Sequence, residues 1–252
     1  MPAYFSPGSA IYTRATVSDP FGSFDIASAA ITIKDSNNVT VVNNVSMTQV
    51  FDSGAAAKVF EYAYMTLPAS GPGGSWTYSV TTQEGFVSEN TPTANRVSTF
   101  PVVLMPNLTV VKSVQPLWDP ANGSTNPKAI PGAVLLYTVQ ATNSGYGTVD
   151  AGTTVITDPV PANTIMCVST LCSNPPVAFT CSTSPACGLT SPTVTYTNQP
   201  GGSGPYTYTP VPNANGYDPN VTGISITPGG TFSGTSGLPN PYFTVTFKVM
   251  IK

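Results

Sequence analysis

This sequence predicts an all-β protein, organised as two sandwich domains in tandem. Three observations predict it. Apolar and polar residues alternate with a period of two through a succession of short runs, the pattern of strands buried on one face. Gly (22 residues) and Pro (26 residues) punctuate those runs where the chain must turn. No helical apolar period of useful length occurs in the 252 residues. That length suits one large domain or two ordinary ones, each able to bury a core. The stiff Met105-Pro106 step is the expected junction, dividing residues 1–105 from residues 106–252.

In the first unit, Ile11, Thr13, Ala15 and Val17 alternate into Asp19-Pro20-Phe21-Gly22, a turn combining a Pro-locked φ with a permissive Gly. Ala30 to Lys34 follows, with Ile31 and Ile33 on one face, and Asp35-Ser36-Asn37-Asn38 turns the chain. Val39 to Val42 and Ser46 to Phe51 are shorter runs, and Val59 to Leu67 places Phe60, Tyr62 and Tyr64 on one face. Beyond the break at Gly71-Pro72-Gly73-Gly74, Trp76, Tyr78 and Val80 alternate with Thr77, Ser79 and Thr81. Arg96 to Leu104 closes a set of roughly seven strands, the number expected of a sandwich. Asp19 and Asp25 are candidate oxygen ligands for a structural Ca²⁺. The alternative is that Asp19 caps its own turn and Asp25 begins a strand, since calcium takes about six to eight oxygens.

The second unit opens with Pro106 to Ala162. Leu108, Val110 and Val114 alternate with Thr109, Val111 and Ser113. Leu135 to Thr142 alternates again between breakers at Pro131-Gly132 and Asn143-Ser144-Gly145, and Thr153 to Thr157 gives a third, shorter run. Lys112, the Pro131-Gly132 step, Tyr137-Thr138-Val139, Asn143, Gly145, Asp158 and Pro161 form a pattern similar to the conserved-repeat domain (domain of unknown function eleven) of bacterial and archaeal surface proteins. The resemblance covers about a quarter of the chain directly. It implies an immunoglobulin-like sandwich at a cell surface, and no reaction. The stretches Val17 to Ile26, Glu61-Tyr62-Ala63-Tyr64 and Gly74 to Val80 resemble the Ig-like repeats found beside that domain.

Some bacterial surface domains of this kind join a strand Lys to an Asn through an isopeptide bond promoted by a buried acid. Lys112, Asn143 and Asp158 supply those residue types, with Lys112 on the inward alternation. The plain alternative is a snorkelling Lys and a turn Asn.

Cys167, Cys172, Cys181 and Cys187 are the only cysteines and lie within one short stretch, inside an expected insertion at about 163–190. An even number in a cluster favours two disulfides in an oxidising compartment. Sequence alone permits three pairings. A hairpin turning just after Pro175-Pro176 would face Cys172 with Cys181 and, with one bulge, Cys167 with Cys187. The rival reading is a four-Cys zinc site, whose usual knuckle spacing is only half present. The last strand, Tyr242 to Ile251, sets Phe243, Val245, Phe247, Val249 and Ile251 on one face. A strand this apolar must be paired, within its own sandwich or with a neighbouring copy.

Composition limits function. Charged residues make up 8% of the chain and the net charge is −3, so no basic stripe exists to neutralise phosphates and nucleic acid is not an expected partner. There is no His, which removes Ser-His-Asp and Cys-His catalysis and His-ligated metals. The closest carboxylate pairs outside one turn are Asp19/Asp25 and Glu84/Glu89, no Gly-rich loop precedes a helix, and no cofactor is expected. No apolar run approaches the ~20 residues that span a bilayer. The N-terminus lacks the features of a signal peptide, so with export implied by the resemblance the chain reads as a mature product or an excised piece. Asn38, Asn44, Asn107, Asn122 and Asn220 begin N-x-Ser/Thr sequons that permit glycosylation. The expected function is a non-catalytic structural subunit of an extracellular surface layer, appendage or filament. It would associate with copies of itself, through strand addition by Pro2 to Ser9 or otherwise. The alternative is an adhesin module that binds glycan or other surface proteins through loop aromatics such as Trp118, Tyr146 and Tyr206.

Overall fold

Alternating runs become antiparallel strands throughout. The computed structural model describes Phe5 and residues 10–64, 71–85 and 93–252. The chain divides into two units, Met1–Met105 and Pro106–Lys252.

The first unit contains β1 (Ile11–Ser18), β2 (Ile26–Lys34), β3 (Thr40–Ser46), β4 (Thr48–Asp52), β5 (Ala57–Tyr64), β6 (Gly74–Glu84) and β7 (Thr93–Val102). One sheet has the order β1-β5-β4 and the other β3-β2-β6-β7. The inward positions of the alternation meet between them: Ile11, Ile31, Ile33, Phe60, Trp76 and Phe100 form one core. Trp76 is fully buried, so its indole N–H needs a partner and donates to Pro72 O at 2.9 Å. Phe5 joins the same core by a parallel bridge to Val102, with its ring edge-on to Phe100 at 5.7 Å. The part of the chain proposed for strand addition is therefore engaged at Phe5 with its own unit, and the rest of Pro2–Ser9 lies outside the described residues.

The second unit contains β8 (Leu108–Trp118), β9 (Val134–Asn143), β10 (Ile156–Pro159), β11 (Thr164–Cys167), β12 (Val177–Cys181), β13 (Leu189–Thr197), β14 (Tyr217–Asp218), β15 (Gly223–Gly230) and β16 (Tyr242–Ile251). A three-stranded sheet, β10-β15-β13, faces a six-stranded sheet of order β14-β11-β16-β9-β8 with β12 also on β16. The core between them joins Val139, Ile224, Ile226, Phe232 and the inward face of β16. The final strand is thus an interior strand. β9 lies along one side of it, and β11 and β12 pair with it on its other side. Its apolar face is satisfied inside its own unit, and pairing through it with a neighbour is excluded.

The cysteine region corrects the hairpin expectation. β11 pairs with Val249–Ile251 and β12 with Phe243–Phe247, both antiparallel to β16. They follow one another along a single partner and never face each other, so Cys172 cannot meet Cys181. Instead Cys167 bonds Cys172 and Cys181 bonds Cys187, each closing a local loop. Gly216 fits against the first loop with φ 87°, where a Cβ would come within 2.9 Å of Cys172 Sγ.

Candidate functional site

β8 is the element left open. It is the outermost strand of the larger sheet in its unit, and among the described residues no strand pairs with its outer side. It runs eleven residues with nearly all of them exposed. Apolar side chains show on both faces: Leu108 (48%), Val110 (59%) and Val114 (52%) on one, and Val111 (58%) on the other. The opposing sheet is short and ends at β10, so the inward face of β8 projects beyond its cover. An apolar edge this long is an association site unless something guards it.

Its one charge is Lys112. Lys112 Nζ lies 2.6 Å from Asp158 Oδ1 on β10, so the pair ties together the open margins of the two sheets. The Asp158 side chain is 7% exposed and its Oδ2 has no hydrogen-bond partner, while Lys112 is 37% exposed. The ammonium also lies 4.7 Å from the centre of the Tyr137 ring, which stacks on Phe247. Burial, and then the Asp158 charge, push the Tyr137 hydroxyl above its ordinary value of 10.0. The edge therefore presents a neutralised Lys.

Asn143 stands apart from this pair, which corrects the isopeptide triad. Lys112 faces Val139 across the strands, whereas Asn143 faces Leu108. Four residues of strand is roughly 13 Å. The Asn143 carboxamide is fully buried and fully used. Oδ1 accepts from Asn107 N–H and Gly145 N–H, both at 3.0 Å, and Nδ2 donates to Gly147 O (2.9 Å) and Ser233 O (3.0 Å). It holds the turn after β9 in place.

The other carboxylates are structural. Asp119, which sequence reasoning did not single out, is fully buried after β8. Burial alone would raise its pKa. The N–H groups of Asn122, Lys128 and Ala121 and the Asn122 carboxamide outweigh it and hold the carboxyl at about 2, against an ordinary 3.8. An Asp followed three residues later by Asn at a Pro-Ala-Asn-Gly turn was the available signal. Asp19 Oδ1 accepts from Phe21 N–H at 2.7 Å, capping its own turn. Asp25 ends a short 3₁₀ turn, and Glu84, at the end of β6, faces both. Burial first, then the Asp19 charge, a hydrogen bond with Asp19 and the Asp25 charge raise the Glu84 pKa. Among the described residues no group of three or more His, Cys, Asp or Glu could hold a metal ion. Glu89 lies outside the described residues.

All five sequon asparagines are exposed. Asn122 differs from the others, because its Nδ2 already donates to Asp119 Oδ2 at 3.1 Å. Of the candidate binding aromatics, Trp118 is 44% exposed at the end of β8, Tyr146 is half-buried, and the Tyr206 hydroxyl is tied to Gly202 O at 2.9 Å. A cleft of about 570 Å³ opens in the first unit, where the two sheets end at β1 and β7. Val17, Tyr78, Val80, Arg14, Arg96 and Ser98 line it, and none of the three aromatics does.

No family model and no curated protein matches this chain. A solved structure it aligns with is the crystal structure of the major pilin subunit of Bacillus cereus, at 8% identity and a TM-score of 0.19. The alignment covers 95% of this chain and 59% of that one. A score so low carries no argument about this chain.

Proposed function

We propose that this chain is a non-catalytic structural subunit of an extracellular surface assembly that associates with copies of itself through sheet edges. The observation that carries the reading is β8: an eleven-residue unpaired edge, apolar on both faces, whose single charge is already neutralised. Two further features support it. Low overall charge leaves little repulsion between copies. Two local disulfides suit an oxidising compartment. Electron microscopy of the native material tests the reading. Ordered filaments or lattices are the expected result, and strictly monomeric particles at high concentration would sink it.

A further inference from the structure

We infer that β8 pairs with β8 of a second copy, antiparallel, about a twofold axis at Val111. This rests on the self-association reading and gives it an interface. Asn143 turns its N–H away from β8 and donates it to Pro241 O. In an antiparallel ladder both backbone groups of a residue point the same way, so Leu108, opposite Asn143, turns its own amide and carbonyl outward. The two-residue period repeats this at Val110, Lys112 and Val114. A partner strand must satisfy those four residues, and β8 itself presents the matching set.

Charge and side-chain type select the register. Centring the axis on Lys112 would place two ammonium groups directly opposite one another, which is destabilising. Centring it on Val111 sets Val110 against Lys112 and Leu108 against Val114 as hydrogen-bonded pairs. On the other face it sets Val111 against Val111 and Thr109 against Ser113. Leu108 then meets Val114, Val111 meets its own copy, hydroxyl meets hydroxyl, and each Lys112 lies opposite an uncharged Val110 while it keeps its own Asp158. The occupant is thus a second copy, favoured by the neutralised charge and by the match of one strand to itself.

Cysteine cross-linking tests the register on the full chain. Facing residues at a non-hydrogen-bonded pair have Cα atoms about 4.5 Å apart, within the range a disulfide spans. Val111→Cys should give covalent dimers under mild oxidation, with both native disulfides intact by peptide mapping. Thr109→Cys and Ser113→Cys should each give no covalent dimer alone and should cross-link when mixed. Val111→Glu, at an exposed position, should keep the fold by circular dichroism and weaken association about tenfold or more. If the protein associates in sedimentation but neither cysteine arrangement links, this interface is wrong and the broader reading stands. If it shows no association even at millimolar concentration, both fall.

Discussion

Asn143 concentrates more of the fold's stability than its place in a turn suggests. A buried carboxamide offers two acceptor sites and two donors, and this one uses all four. Truncation would leave two backbone N–H groups and two carbonyls without partners in a buried site. Asn143→Ala should therefore cost about 3 kcal/mol, read as a lower denaturant midpoint at unchanged slope. Asp119 makes a complementary prediction in acid. Its folded pKa of about 2 lies below the ordinary 3.8, so its contribution is fully present above that value and is lost as pH falls from about 4 to about 2. Asp119→Ala should be less stable than wild type at neutral pH, and the difference should shrink across that window. A constant difference from pH 6 to pH 2 would refute this assignment.

Elements show where sequence reasoning holds and where it fails. Period-two alternation located the strands of both cores, because a half-buried strand writes its two faces directly into the residue order: Trp76, Ile31, Ile33, Phe243, Val245, Phe247 and Val249 are all essentially buried. Which edge each strand lies on is a matter of long-range pairing, and alternation does not encode it. For Tyr242–Ile251 the alternation left open pairing within its own sandwich or with a neighbouring copy, and the strand is interior; β8, read as an ordinary half-buried strand, is the open edge. The cysteine pairing failed for a related reason. Asn174-Pro175-Pro176 has the composition of a hairpin turn, but here it sits in the loop between two strands that pair in succession with β16. Proteolysis without reduction should accordingly yield one fragment linking Cys167 to Cys172 and another linking Cys181 to Cys187. Loops this short constrain little of the unfolded chain, so a Cys181→Ser, Cys187→Ser double variant should lose only about 2 kcal/mol. Recovery of a Cys172–Cys181 peptide would contradict the topology.

For the whole molecule, low charge and an apolar edge together dictate how association should respond to salt. Contacts between oppositely charged surfaces weaken as ionic strength rises, because the Debye length falls from about 10 Å at 0.1 M to about 3 Å at 1 M. Contacts that bury apolar side chains and backbone edges do not weaken this way. With a net charge of −3 on 252 residues, general repulsion between copies is small from the outset. The one charge on β8 is held by Asp158 at 2.6 Å, a contact too short for salt to screen effectively. A twofold contact through β8 also closes on itself, so it yields pairs, and any polymer must use a second surface. Sedimentation equilibrium at increasing NaCl should therefore show a pairing constant that changes less than about twofold between 0.05 M and 0.5 M. Salting-out by sulfate should strengthen it, as expected for apolar burial. A tenfold loss across that NaCl range would mean that charged groups elsewhere hold the copies together, and the β8 interface would then be the wrong surface.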